Sequence, residues 1–377
     1  MKPVYVLAAG GTGGHLFPAE AVARILVESG GAVHLLTDSR ADAFTDRLPG
    51  VTIDRVRAGR PGGGPFNAAY GLAELAVGVV QARRLLRQLK PAAVVGFGGY
   101  PSVPTMLAAA QLGLPTLIHE QNAVFGRANR LLAPRARRVA TGFAETAGLR
   151  PADRARAIHT GNPVRPAIRA IGAKAYVPPT DGAIELLVVG GSQGARFFGE
   201  IVPAALAALP AGLRARLHVA QQARPEDNVA VGGALLGLGI PAEVRVFFDD
   251  MPARFERAHL VICRSGASTI AELAAAGRPA LLVPYPYAMD DHQTANAGAF
   301  AAANAGWMVP QSELTEAALA DRLAGLLADS VQLGAAASAA RRFARDDAAE
   351  HLAGLAQSLA PGHNGGTVGS RRLERAA

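Results

Sequence analysis

Between Gly10 and His15 the chain reads GGTGGH, four glycines around one threonine with an imidazole directly after them. Glycine lets a backbone approach an anion closely. A helix that follows such a turn offers unpaired N–H groups and the positive end of its dipole. Two further turns share this character, GFGGYPS from Gly96 and GGSQGA from Gly190. A lone Gly-Gly pair is most often a tight strand-to-helix connection. Three such turns at strand ends, two of them opening the two halves of the chain, point to anion binding. Neither familiar phosphate fingerprint is met. Counting G-x-G-x-x-G from Gly11 puts Leu16 in place of the third glycine, and no G-x-x-x-x-G-K-[ST] occurs. The turns imply a diphosphate held in neither standard way.

A second concentration of chemistry begins at Cys263, in CRSGASTIAELAAAG. Ser268 or Thr269 can cap a helix whose first turn carries Glu272, a carboxylate suited to the helix dipole. In the functional reading, Glu272 accepts hydrogen bonds from two ribose hydroxyls. At the next strand end Asp290, Asp291, His292, Gln293 and Asn296 follow closely. A surface loop explains the acids, but less readily the two amides.

These groups need a scaffold, and the scaffold is legible. PVYVLAAG, AVHLLTD, AAVVGFGG and PTLIHEQ are apolar runs, with helical stretches PAEAVARILVESG (closed by Gly30) and VPTMLAAAQLG among them. Strand, glycine turn and helix restart at IELLVVGGSQGARFFGE. This alternation predicts an α/β protein of two Rossmann-like domains with parallel sheets and a ligand cleft between them. The expected division is 1–162, then 163–340, then a helical segment 341–360 returning to the first domain. A disordered tail 361–377 is expected to follow. Pro163, Pro166, Pro178 and Pro179 mark the crossing between the domains.

Composition excludes several classes. The 377 residues are 50% hydrophobic and 18% charged, so the chain is globular. The net charge of +8 suits a phosphate or an anionic surface. Aromatics are only 5%, and no basic–aromatic recognition motif appears, which argues against a nucleic-acid partner. Cys263 is the single cysteine, so neither an internal disulfide nor a cysteine zinc site is expected, in keeping with the cytoplasm. No signal peptide or transmembrane run is read. No D-x-D metal motif is evident, and neither a metal nor a cofactor is expected.

Eight motifs in order, GGTGGH, GFGGYPS, HEQNAVFGRAN, TGNPVR, GGSQGA, FFDDM, CRSGASTIAE and DDHQTANA, resemble the MurG family of bacterial transferases. The resemblance spans about residues 1 to 355. It implies the GT-B glycosyltransferase fold. It also implies inverting transfer of N-acetylglucosamine from UDP-N-acetylglucosamine to the 4-hydroxyl of N-acetylmuramic acid in the undecaprenyl-linked muramyl-pentapeptide, converting lipid I to lipid II. The family works in peptidoglycan synthesis at the cytoplasmic face of the bacterial inner membrane. Other cell-wall synthesis and division proteins are expected as partners.

Residue roles follow from the same resemblance. Glu272 meets the donor ribose, while Ala267, Ser268, Thr269, Ile270, Ala271 and Glu272 cradle the diphosphate and sugar side. Ser192 contacts a phosphate, the backbone at Phe248 holds the uracil, and Gln293 reads the hydroxyls of N-acetylglucosamine. Arg165 balances charge on the leaving UDP. The first domain adds Thr12, Gly13, Gly14 and Asn122, and Gly98, Gly99 and Tyr100 serve the acceptor. His15 is the expected base, with an ordinary pKa of about 6.5, and Glu120 is its rival. A different UDP-sugar enzyme on the same fold and a catalytically decayed nucleotide-sugar sensor are the competing readings.

The segment 66–90 joins apolar residues to a basic end at Arg83, Arg84, Arg87 and Lys90. It reads as a core helix with a solvated tip, or as a patch meeting an anionic membrane surface, to which the basic run Arg127 to Arg138 adds.

Overall fold

The computed structural model describes residues 2–10, 13–38, 48–59, 64–190 and 196–360. Thr12, Ser192 and the segment 361–377 lie outside the described residues.

Two all-parallel sheets form the frame. The first contains β1 (Val4–Ala8), β2 (Ala32–Thr37), β3 (Val51–Arg55), β4 (Ala93–Gly96), β5 (Thr116–Glu120), β6 (Arg138–Thr141) and β7 (Ala157–His159). Their spatial order is β3-β2-β1-β4-β5-β6-β7. The second contains β8 (Ile184–Val189), β9 (Leu217–Gln222), β10 (Ala242–Arg245), β11 (Leu260–Cys263), β12 (Ala280–Leu282) and β13 (Gly306–Met308). Its order, β10-β9-β8-β11-β12-β13, is the doubly wound nucleotide-binding arrangement.

Alternation within single strands explains the continuous apolar runs. Leu7 packs with Leu16, Val22 and Leu26 of helix α1 (Gly13–Glu28). Its neighbours Val6 and Ala8 face Leu86 of α2 (Pro65–Leu89) and Val103 and Met106 of α3 (Ser102–Gln111). A strand covered on both faces has no polar side to present, so no alternation with polar residues is seen.

Gly30 closes α1 with φ +84°. Its N–H bonds Val27 O at 2.9 Å, and that of Gly31 bonds Leu26 O at 2.9 Å. The start of α1 differs from the sequence expectation. It begins at Gly13, so Pro18 lies inside it and the Gly14 carbonyl lacks its usual i+4 donor. The expected helical segment 341–360 is broken: one helix ends at Phe343 and another, Ala348–Ser358, follows. Leu352, Ala353 and Ala356 of this last helix enter the core of the first half, beside α1.

Candidate active site

In each sheet the first strand lies between neighbours reached by opposite crossings, β1 between β2 and β4, and β8 between β9 and β11. Ligands of doubly wound sheets bind in the crevice at such points, beyond the carboxyl ends of the strands. Two cavities open there, of about 940 Å³ against the first half and about 1030 Å³ against the second. They share four lining residues: His15, Gln121, Asn122 and His292.

The first-half cavity holds the glycine turns. Gly98 and Gly99 have φ of +80° and +72°, which glycine alone adopts freely. A Cβ on Gly99 would lie 3.2 Å from His15 Nε2 and 3.1 Å from its Cδ2. The second glycine turn is thus a wall against which the imidazole is set. Gly99→Ala is expected to lower kcat about 10- to 100-fold by displacing His15. UDP binding should hold within about two-fold, as isothermal titration would check.

Burial holds the His15 pKa below its ordinary value, and the charge of Glu120 opposes this only in part. Its Nδ1 is buried without a hydrogen-bond partner among the described residues. The ring is neutral at pH 7 and can accept a proton. Glu120 is differently placed. Its Oε1 accepts from Asn122 N at 2.9 Å and Asn122 Nδ2 at 3.2 Å; its Oε2 accepts from Gly126 N and Asn129 Nδ2, both at 2.8 Å. All four lone-pair directions are engaged and the residue is 2% exposed. In this geometry Glu120, which also lines the first-half cavity, organises the loop that carries Asn122.

Two further groups build the junction. Burial depresses the His119 pKa to about 4, so its ring is neutral. It lies 3.1 Å from Gly161 O through Nε2 and 3.2 Å from Gln121 Nε2 through Nδ1. Gln121 Nε2 also donates to Phe97 O at 2.9 Å. Asn296 is fully buried and spans the halves: Oδ1 accepts from Ala123 N at 2.8 Å, and Nδ2 donates to Asn122 Oδ1 and Ser265 O at 3.1 and 3.0 Å.

On the second-half side, α5 (Ala267–Ala276) points its N-terminus at the cavity. Its N-cap is Gly266, with no side-chain cap. Ser268 and Thr269 are therefore helical residues of the first turn rather than caps, and Glu272 stands in the second turn. The free N–H groups favour an anion. Ala267, Ser268, Thr269 and Glu272 line the cavity, while Ile270 is buried in the core and Ala271 is outside the lining. Gln293 lines it too, its Oε1 accepting from Ser265 N and Tyr285 N at 3.2 and 3.0 Å.

Two expected contacts are otherwise disposed. Arg165 pairs with Glu272 through Nε and Nη2, both at 2.8 Å from Oε1. Burial raises the Glu272 pKa and the guanidinium opposes that rise. Phe248 is 3% exposed, with the Arg254 guanidinium 3.8 Å from its ring centroid, and its side chain does not line the cavity. Only its backbone remains for a ligand.

Sequence reasoning missed Arg264. It is 8% exposed at the end of β11, yet it lines the cavity. Its Nη1 donates to Val283 O and Pro284 O at 3.1 and 3.0 Å, and its Nη2 to Gln311 Oε1 at 2.7 Å. The other arginines lining the cavity, Arg196 and Arg224, pair with Glu200 and with Asp227 and Glu226. Arg264 has no carboxylate partner among the described residues. Its position in CRSG at a strand end was the available signal. Among the described residues, no group of three or more His, Cys, Asp or Glu is arranged to hold a metal ion.

Residues 5–141 match the glycosyltransferase family 28 N-terminal domain and residues 185–352 its C-terminal domain. A protein of Rhodospirillum centenum named UDP-N-acetylglucosamine--N-acetylmuramyl-(pentapeptide) pyrophosphoryl-undecaprenol N-acetylglucosamine transferase is 53% identical, over 100% of this chain and 99% of its own. A protein of the same name from Paramagnetospirillum magneticum is 52% identical over 97% and 99%. The crystal structure of Acinetobacter baumannii MurG superposes with a TM-score of 0.78 at 33% identity, covering 95% of this chain and 100% of the other. A kitacinnamycin glycosyltransferase, at 17% identity and TM-score 0.73, shares the fold. With both domains matched in order and relatives alike over nearly their whole length, the chain belongs to glycosyltransferase family 28, in its MurG branch.

Proposed function

We propose that this protein transfers N-acetylglucosamine from UDP-N-acetylglucosamine to the 4-hydroxyl of N-acetylmuramic acid in undecaprenyl-pyrophosphoryl-MurNAc-pentapeptide. The observation that carries this assignment is the meeting of a donor-type cavity and a second large cavity at His15, Gln121, Asn122 and His292. The donor lies in the second half. Its diphosphate faces the open N-terminus of α5, its ribose Glu272, its uracil the backbone at Phe248 and its sugar Gln293. The acceptor lies against Gly98, Gly99 and Tyr100.

The reaction is a displacement at the anomeric carbon. The acceptor oxygen forms the new C–O bond as the bond to the β-phosphate breaks, and the electron pair leaves with UDP. The hydroxyl proton passes to the neutral imidazole of His15. Attack opposite the leaving group turns an α donor into a β product. The charge that develops on UDP is met by the helix N-terminus and by guanidinium groups. The test is UDP release by purified protein, with and without a lipid I analogue. Release that requires the acceptor supports the assignment; donor binding with no acceptor-dependent release overturns it.

The same reading places the protein at an anionic membrane surface. No single helix among the described residues is long and apolar enough to span a bilayer. However, α2 exposes Phe66, Tyr70, Leu72 and Val80 at 90, 69, 56 and 51%, and Arg83, Arg84, Arg87 and Lys90 lie exposed at its other end. Apolar insertion with basic attraction is the physics of a monotopic contact. The Phe66→Ser/Tyr70→Ser variant is expected to pelletise with anionic vesicles several-fold less than wild type, and added salt should weaken both. Equal pelleting of the two would exclude α2 as the contact.

A further inference from the structure

Arg127 and Arg130, on the short helix α4 (Arg127–Leu132), do not face away from the cleft with the rest of the basic run. They cross it to Asp290. Arg127 Nε lies 3.0 and 3.2 Å from the two carboxylate oxygens of Asp290, and its Nη2 lies 2.7 Å from Oδ1. Arg130 Nη2 reaches Oδ2 at 3.2 Å, while its own Nε is anchored on Phe125 O at 2.6 Å. The bridge joins residues 163 positions apart, one in each half.

The carboxylate it grips sits on an unusual turn. Asp290 and Asp291 are consecutive non-glycine residues with φ of +53° and +51°. L-residues enter this region at a cost, which aspartate tolerates better than most, and two in succession need a contact to hold them. The local contacts lie within the segment itself: Asp291 N donates to Ala288 O at 3.0 Å, Asp291 Oδ1 accepts from Thr294 Oγ1 at 2.6 Å, and His292 Nδ1 lies 2.7 Å from Met289 O. The next residues are His292, at the junction of the cavities, and Gln293, on the donor cavity. The path of this turn sets where His292 stands and how the chain enters Gln293, whose Oε1 then accepts from Ser265 N and Tyr285 N.

The geometry points to a clasp: the Arg127–Asp290 bridge, backed by Arg130, locks the two halves together and holds the turn that places His292 and Gln293 at the reaction point. Arg127 and Asp290 are then positioning residues for sugar transfer, an inference that rests on the donor site proposed above. An ordinary exposed ion pair would contribute little. This one is bidentate, doubly supported and tied to a strained segment beside the chemistry.

The test uses Asp290→Asn, which keeps the side-chain shape and the tolerance for left-handed backbone, together with Arg127→Gln, Arg127→Lys and the Asp290→Asn/Arg127→Gln double variant. Saturated kcat should fall about ten-fold in Asp290→Asn and Arg127→Gln. It should fall no further in the double variant, since both changes break one contact, and Arg127→Lys should recover part of the loss. Affinity for UDP, which lacks the sugar that Gln293 meets, should stay within two-fold. Independently of turnover, spin labels on Leu131→Cys and Val331→Cys should show a broader distance distribution in Asp290→Asn than in the wild-type background. Both sites are exposed, whereas the native Cys263 is buried. Unchanged kcat, additive losses or an unchanged distance distribution would overturn the clasp. If the wild-type chain transferred no sugar, the functional assignment would fall, while the label distances would still decide the lock.

Discussion

His15→Gln is expected to lower kcat about 10²- to 10⁴-fold, the range of a lost general base, while affinity for UDP-N-acetylglucosamine stays within about three-fold. The split follows from position. His15 stands where the two cavities meet, so in the proposed reaction it faces the reacting groups rather than the nucleotide. Glutamine keeps most of the volume against Gly99 but cannot take the proton. The pH dependence has a definite sign. Only the neutral ring accepts a proton, and burial holds the His15 pKa below its ordinary value of about 6.5. The acid limb of kcat/KM should therefore lie below pH 6.5, with rate lost as pH falls through the folded value and unaffected by His15 above it. In His15→Gln that limb should vanish. Full activity in the variant, or an acid limb identical to wild type, would remove His15 from the base role.

Arg264→Met should weaken UDP binding about 10- to 100-fold while leaving uridine within about two-fold. A hydrogen bond to a charged group is worth about 1.5–3 kcal/mol, and desolvation places Arg264 near the strong end. Burial already depresses its pKa, a sign that the folded chain leaves the guanidinium short of compensating charge. A diphosphate on the neighbouring helix N-terminus would supply it. The comparison with uridine matters because Arg264 also ties Val283, Pro284 and Gln311 together. A purely structural role would weaken both ligands equally. Calorimetric titration of UDP, UMP and uridine into wild type, Arg264→Met and Arg264→Lys separates the two cases.

Some of the missed detail lies close to motifs that were read correctly as strand ends. CRSG and HEQN announced polar chemistry, but which side chain turns inward is a packing decision. Arg264 was passed over because nothing local to CRSG marks its side chain as buried, whereas its ring neighbours Phe197, Phe198 and Tyr285 enclose it. Phe248 was assigned to the uracil through its backbone, and where its ring goes was not legible: stacking on Arg254 takes it into the core. The expected Ser268 or Thr269 cap gave way to Gly266, whose extended backbone begins the helix and leaves its N–H groups unclaimed by any side chain.

What the sequence determined by itself is the local and periodic part: apolar strands covered on both faces, glycine turns at their carboxyl ends, the Gly30 stop, and two repeats of one α/β plan that make up the GT-B fold. Each depends on residues a few positions apart, through φ, side-chain period and hydrogen bonds within a turn. The tertiary structure alone decided the long-range part. Arg165 meets Glu272 across 107 positions, Arg127 meets Asp290 across 163 and Ala123 meets Asn296 across 173. No local rule chooses among the 38 lysines and arginines and 30 acids for such pairings. They arise when two sheets, each satisfied internally, bring the carboxyl ends of their strands to one cleft, where the largely buried Glu272 and the fully buried Asn296 are too costly to leave unpaired and the more exposed Arg127 comes within reach of Asp290.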